Sequence, residues 1–591
     1  MSMKIKHILV VTAALALIAD AASAQNLDPT VVVNRAYEGK LVQMHKPSFE
    51  MAVPDSVSTF ALEFDYLVTE KPYQGADGFN PYVLTMKPAS ALQMPMKLYL
   101  KAGAGYTLHP TLDFVWAPLR EGAFRMDVYA RHRSYVGDYR SYRPQIPAEG
   151  GVLEVDRWRN AGGDQAHWKG YDFMSEAGVD GRYDWTSVYA DFDVAYYGLA
   201  SKDLYKKRMY DALDVKLGVA SKPANTSYFM YDVQVGYRFA EDKLSYALDR
   251  DYIGEHLFDV DARIGQVLKG HHKILLDADI ELAAYSHYTM SSTAAQLTLT
   301  PHYVYARDRW GVDAGIRIST MLRSDEPQAV FGTRQQVVYP DVKAYFQVIP
   351  DAMRLYADIG GGSRMNTYAS LLEGNHHLDP AYVLGNDALM DLTVERVSAS
   401  IGLEGRAGSV FNYNIRTGYV NYKSALLDAV AIGPAPSSSE PAYLAGVGYA
   451  PCQKYYAAMD WRLDVAGFTF DGDLVYNHVW GLDASQGLFA PAKFTGDVAF
   501  EYNWSRRIYA GIDCSFSTAR SGYVRNLNET DAVYEAIMPG YADLGAYFEF
   551  AFTRSFSIWA RGGNLLNMAI QRNPLYAERG VSCTVGICLN L

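Results

Sequence analysis

The sequence predicts an all-β protein, a large antiparallel transmembrane β-barrel of roughly 22 strands. Three observations carry this prediction. Segments of alternating apolar and polar residues recur along most of the chain, as in a strand with one face in lipid and one in water. Aromatic residues are abundant, with 46 Tyr and 24 Phe in 591 residues, and tyrosine is an amphipathic ring suited to a membrane boundary. Beyond the N-terminal leader, no apolar run reaches the roughly 18 residues a transmembrane helix needs. The mean hydropathy of -0.13 agrees with a barrel, because lumen-facing residues dilute lipid-facing ones in any average.

The chain opens MSMKIKHILVVTAALALIADAASAQ, with Lys4 and Lys6 ahead of the apolar run Ile8 to Ile18, then Ala22-Ser23-Ala24. This pattern predicts a signal peptide over 1–24 and an exported chain starting at Gln25. No Cys follows the cleavage site, which argues against a lipid anchor. Residues 25–56 are expected to form an N-terminal periplasmic extension, and 57–591 the barrel. Within the extension, DPTVVVNRAYEG carries Thr30, Val31, Val32 and Val33, a β-branched stretch able to add as a strand to a partner's exposed edge.

The first alternating segments are TFALEFDYLV, with Glu63 and Asp65 turned to the lumen, and KLYLKAGAGY, with Leu98, Leu100, Ala102, Ala104 and Tyr106 turned to lipid. YFMYDVQVGYRFA sets Phe229, Tyr231, Val233, Val235, Tyr237 and Phe239 against Asp232, Gln234 and Arg238. Its apolar face runs aromatic, aliphatic, aromatic, which matches a tilted strand with a girdle at each rim. VFNYNIRTGYVNY repeats the pattern around Arg416, and GYADLGAYFEFAF repeats it with slipped phase. The chain ends VSCTVGICLNL, where Val581, Cys583, Val585, Ile587, Leu589 and Leu591 share one parity, as expected of the strand that closes a barrel. Polar intervals at 136–166, 221–227, 321–335, 362–392, 423–440 and 519–532 are expected to be extracellular loops.

Few residues suggest chemistry. His132 and Ser134 in VYARHRSYVGD are two apart and share the apolar face of Phe124, Met126, Val128 and Ala130. Outer-membrane phospholipase A keeps a similar His-x-Ser pair outside its barrel, but no Asn-Gly follows here and no orienting partner is evident. Rim residues beside Arg131 and Arg133 are the plainer reading. His271-His272 cannot chelate from a strand, where adjacent side chains oppose, and His376-His377 in EGNHHLD reads as a solvated loop. Neither a metal nor a cofactor is expected, and no enzyme activity. A net charge of -12 argues against a nucleic-acid partner, and 4 Cys do not make a disulfide scaffold. Glu63, Asp65, Asp232, Arg238 and Arg416 are the lumen-facing charges expected to select a solute or to pair and block the way.

RGGNLLNMAIQRNPLY, with Asn564-Leu565-Leu566-Asn567, Tyr576 and then Gly580 opening the last strand, resembles the last two strands of TonB-dependent receptors. YADLGAYFEFAF is placed as in those receptors, and VVYPDVKAYFQV, LYADIGGG and LLEGN are similar to plug-less, TonB-receptor-like barrels of Bacteroidetes. The resemblance implies an outer-membrane location, a Gram-negative cell, and a role in solute passage. Two departures stand out. Alternation begins near Phe60, leaving no room for the plug of such receptors, and the last residue is Leu591 rather than an aromatic. Thr30 to Val33 resembles a weak TonB box, so a TonB-type or other periplasmic partner is one expectation. Passage of an unidentified solute is the leading reading. A structural barrel subunit of an envelope complex, with a sealed lumen, is the alternative, and a lipid esterase built on His132 and Ser134 the remote one.

Overall fold

A strand with one apolar face is stable in a bilayer only when every backbone N–H and C=O is paired, and a closed ring achieves this without an edge. The computed structural model describes residues 97–591 except 107, 121, 141–151, 155–166, 203–205, 223–228, 247–249, 269–270, 288–290, 325–332, 351, 380–391, 435–440, 484–485, 528–531 and 577. The expected signal peptide, the extension with Thr30, Val31, Val32 and Val33, and TFALEFDYLV with Glu63 and Asp65 lie outside the described residues.

In chain order the strands are β1 (Leu98–Tyr106), β2 (Thr111–Leu119), β3 (Phe124–Arg140), β4 (Val152–Glu154), β5 (His167–Asp184), β6 (Val188–Lys202), β7 (Lys206–Ser221), β8 (Phe229–Tyr246) and β9 (Arg250–Val267). Next come β10 (His272–His287), β11 (Ser291–Arg307), β12 (Trp310–Ser324), β13 (Thr333–Ile349), β14 (Met353–Met365), a short helix α1 (Tyr368–Gly374), β15 (Leu392–Ala407), β16 (Phe411–Pro434) and β17 (Pro441–Val465). The rest are β18 (Phe468–Trp480), β19 (Leu488–Phe489), β20 (Phe494–Trp504), β21 (Ile508–Ser517), β22 (Arg520–Asn526), β23 (Ala532–Met538), β24 (Tyr541–Ala551), β25 (Phe556–Gly563) and β26 (Ser582–Asn590).

These strands build a closed 22-stranded antiparallel barrel, with β4, β19, β22 and β23 outside the ring. β26 closes it, pairing with β25 on one side and with β1 on the other, where Ile587 faces Ala102 and Gly586 faces Gly103. Among the described residues the ring is complete from Leu98 to Asn590. The terminal parity reads as expected: Val585 and Ile587 are 59% and 41% exposed to what would be lipid, while Ser582, Thr584 and Cys588 are buried inside.

An even number of strands puts both ends of the ring on one side. On that side the links are tight turns such as 308–309, 408–410 and 466–467; on the other they include 366–391, 481–493, 518–540 and 564–581. Short turns belong to the periplasm and long loops to the exterior. Three expectations are corrected by this arrangement. The interval 221–227 joins β7 to β8 on the periplasmic side, because β7 runs from the outer mouth toward the periplasm. Most of 423–440 is strand, since β16 and β17 run on past the roughly 9–11 residues that cross a bilayer. Much of 519–532 belongs to the β22–β23 hairpin, which lies at the outer mouth and pairs with β16 and β4.

The tyrosines do more than form a rim. On the inner face, Tyr129 lies opposite Gly178, Tyr356 opposite Gly402 and Tyr456 opposite Gly418, each ring occupying the space a Cβ would fill. In GYADLGAYFEFAF, Tyr547 likewise lies opposite a glycine, Gly511. Tyr547 turns inward and is buried, while Phe548 and Phe552 turn outward.

Candidate functional site

The candidate site is the lumen and its outer mouth. Its wall follows from strand register. Arg238 on β8 pairs with Asp214 on β7, and Asp232 lies opposite Arg263, which donates to Asp277 at 2.8 and 2.9 Å. Arg416 on β16 stands 3.7 Å from Asp460 on β17. These predicted lumen charges thus meet oppositely charged neighbours along the wall.

Register also brings together carboxylates that no local pattern could pair. Asp180 on β5 is directly opposite Asp127 on one side and Asp193 on the other. Asp259 and Asp261 on β9 face Glu281 and Asp279 on β10, and Asp473 on β18 lies between Asp460 and Asp497. Like charges directly opposed cost roughly 0.2–1 kcal/mol a pair, so these rows work against the stability of the wall. The opposed cations Arg125 and Arg182 are neutralised by Asp184 and Asp191.

At the mouth, the link after β14 turns inward. Thr367 caps α1, its hydroxyl accepting the Ser370 N–H at 3.2 Å while the Ser370 hydroxyl accepts the Thr367 N–H at 3.1 Å. The helix buries Tyr368, Leu371 and Leu372 against inward side chains of the facing wall, among them Leu199, Tyr210, Ile253 and Tyr285. The contacts are specific. Tyr368 donates its hydroxyl to Asp242 on β8, and its own N–H goes to the Tyr285 hydroxyl at 3.0 Å. Glu255 on β9 accepts the Ala369 N–H at 3.2 Å and the Tyr285 hydroxyl at 2.8 Å. Arg208 on β7 binds Asp242 at 3.1 Å and donates to the carbonyls of His376 and Leu378. Arg208, Asp242 and Glu255 are all essentially without solvent exposure.

His376 and His377 therefore do not lie in a solvated loop. His377 stacks on Tyr576 of the β25–β26 link at 4.5 Å, and beyond it the Asp379 N–H donates to the Ala445 carbonyl on β17 at 2.8 Å. The β25–β26 link is tied down by Asn564. That residue has φ +46, its side chain donates to the carbonyls of Met568 and Arg579, and it accepts the Met568 N–H. Among the described residues, no group of three His, Cys, Asp or Glu is arranged to hold a metal.

His132 and Ser134 do meet, with His132 Nε2 and Ser134 Oγ 3.0 Å apart, and Ser175 Oγ 2.8 Å from His132 Nδ1. The Ser134 hydroxyl has one proton and two neighbours able to accept it, His132 Nε2 and the Pro110 carbonyl, each at 3.0 Å, so the pair is not committed to proton transfer from Ser134 to His132. Ser134 is buried, and among the described residues the ring nitrogens meet only the hydroxyls of Ser134 and Ser175.

No protein-family model matches the chain, and no curated protein matches it by sequence. Solved structures do. The FrpB iron transporter from Neisseria meningitidis superposes with a TM-score of 0.59 at 9% identity, over 84% of this chain and 82% of that one. The siderophore receptor PirA from Acinetobacter baumannii gives 0.56 at 10% identity, over 84% and 80%. The Serratia marcescens hemophore receptor HasR, solved with its hemophore HasA and heme, gives 0.55 at 12% identity over the same shares. These neighbours are a transporter and two receptors. At such identities the likeness is one of fold: this chain has the large closed β-barrel fold of those outer-membrane transporters and receptors.

Proposed function

We propose that the chain carries a solute across the outer membrane through its lumen, and that the lumen favours cationic solutes. The observation that supports this is the set of opposed carboxylates on the inner wall. Rows of like charge strain a barrel wall, but they give a channel a field that concentrates counter-charged solutes. The likeness to an iron transporter, a siderophore receptor and a hemophore receptor supports uptake in general and leaves the solute unnamed. Thr30 to Val33 would be the segment through which a TonB-type partner supplies energy, by adding it as a strand.

The test is entry of small fluorescent probes of matched size into cells that lack other wide channels and express the full chain. Entry of the cationic probe above the anionic one supports the proposal. Equal exclusion of both sinks it and favours the second reading, a structural subunit with a sealed lumen, for which the buried cluster at the mouth speaks. A stable periplasmic partner recovered with the intact chain would then be expected.

A further inference from the structure

We propose that the segment Tyr368–Leu378 is a gate: a stopper carried on the β14–β15 link, seated in the barrel mouth and able to leave it. The inference rests on the passage reading above.

Three observations favour a seat over a permanent core. The segment reaches well across the ring, from β14 to partners on β7, β8, β9 and β10, and a link that only joined β14 to β15 would need none of them. Its seat is charged. Arg208, Asp242 and Glu255 are buried and each is hydrogen-bonded by the segment, and replacing such groups by apolar ones is often neutral or stabilising in a fixed core. The seat is also incompletely satisfied. Tyr210 OH and Glu255 Oε2 are buried on the inner wall with no hydrogen-bond partner, and opening would return them to water. Apolar contacts from Tyr368, Leu371, Leu372 and Leu378 thus hold the gate closed, while the polar wall lowers the cost of opening it. Such a two-sided balance is the physical requirement for a device with two states.

The position fits the task. Leu378 bridges to Ala445 on β17 and His377 stacks on Tyr576, so one short segment ties the β7–β10 wall, the β16–β17 hairpin and the β25–β26 link together. These three elements lie at the outer mouth, and separating them would unseat α1.

The test is single-channel recording on the purified full chain in planar bilayers, beside two variants. In one, Tyr368–Leu378 is replaced by Gly and Ser residues of equal length; in the other, Tyr368→Phe removes the hydroxyl that Asp242 accepts. Heat-modifiable migration on gels verifies that each barrel is folded. The native chain should be closed most of the time, the replaced chain should conduct steadily, and Tyr368→Phe should raise the open fraction by about tenfold, as loss of one hydrogen bond to a carboxylate implies. Steady conduction by the native chain, or silence from the folded Gly/Ser variant, would overturn the gate. A replaced chain that conducts, with a native chain that admits no probe into cells under any condition, would leave the gate standing and remove only the passage reading.

Discussion

Tyr368 is wholly buried on the loop side of the barrel, and its protonation is therefore a property of the closed mouth. Burial above all raises its phenol well above the ordinary value; the Arg208 guanidinium partly offsets this and the Asp242 carboxylate adds to it. A phenol held neutral in the seated state stabilises that state at every pH below the ordinary value of about 10, and the contribution is lost as pH climbs above it. We therefore expect the open fraction to stay flat from neutral pH to about 10 and to rise beyond, with a smaller rise in Tyr368→Phe. Recording both proteins across that range checks it, and identical profiles would remove Tyr368 from the argument. Sequence could not single this residue out. Tyr368 sits in a polar interval, and Arg208 and Asp242 occupy ordinary inward positions of alternating strands; only a contact spanning 126 residues or more joins them. Asn564 was more legible, because a left-handed position and several local hydrogen bonds are what asparagine can supply within a few residues of itself.

At the scale of single elements, the closing seam depends on small residues facing a large one. Trp559 on β25 lies opposite Gly586 on β26, which lies opposite Gly103 on β1, and the indole covers both glycines. A Cβ at Gly586 would meet the ring at 2.6 Å as well as the Ala102 carbonyl, so Gly586→Val must displace the indole or part the strands. Overpacking of this kind typically costs about 1–3 kcal/mol, more when backbone must move. The expected result is a lower folded fraction in outer membranes, read by heat-modifiable migration, with partial rescue by Trp559→Leu. Unchanged folding would mean the seam is looser than drawn. The strands themselves were legible because alternation is local and lipid imposes it on every crossing. The folded link after β14 was not, because LLEGNHHLD carries too few apolar residues to announce a core and borrows its partners from the opposite wall. Likewise, the tyrosine count signalled a membrane boundary correctly in part, yet rings such as Tyr129, Tyr356 and Tyr456 owe their positions to glycines one strand away.

Across the whole molecule, charge is the property that neither residue nor strand determines alone. The chain carries 66 acidic and 54 basic side chains, and register gathers part of the acidic excess into opposed rows on the inner wall. Low-dielectric walls focus the field of such rows into the lumen, so their effect on a permeating ion exceeds that of the same charges on an open surface. With the mouth opened by the Gly/Ser replacement, we expect a reversal potential favouring potassium over chloride in a salt gradient. Screening provides the internal control. At roughly 0.1 M salt the field reaches about 10 Å from the wall, at 1 M only about 3 Å, so selectivity should decline as the bath is made more concentrated. Asp261→Asn with Asp279→Asn removes one opposed pair, and Asp473→Asn the centre of another row. Each change should lower selectivity while leaving the fold at least as stable, because each relieves like-charge repulsion. If instead these variants fold worse and selectivity is unchanged, the carboxylates serve the wall and not the solute, and the lumen is structural filling.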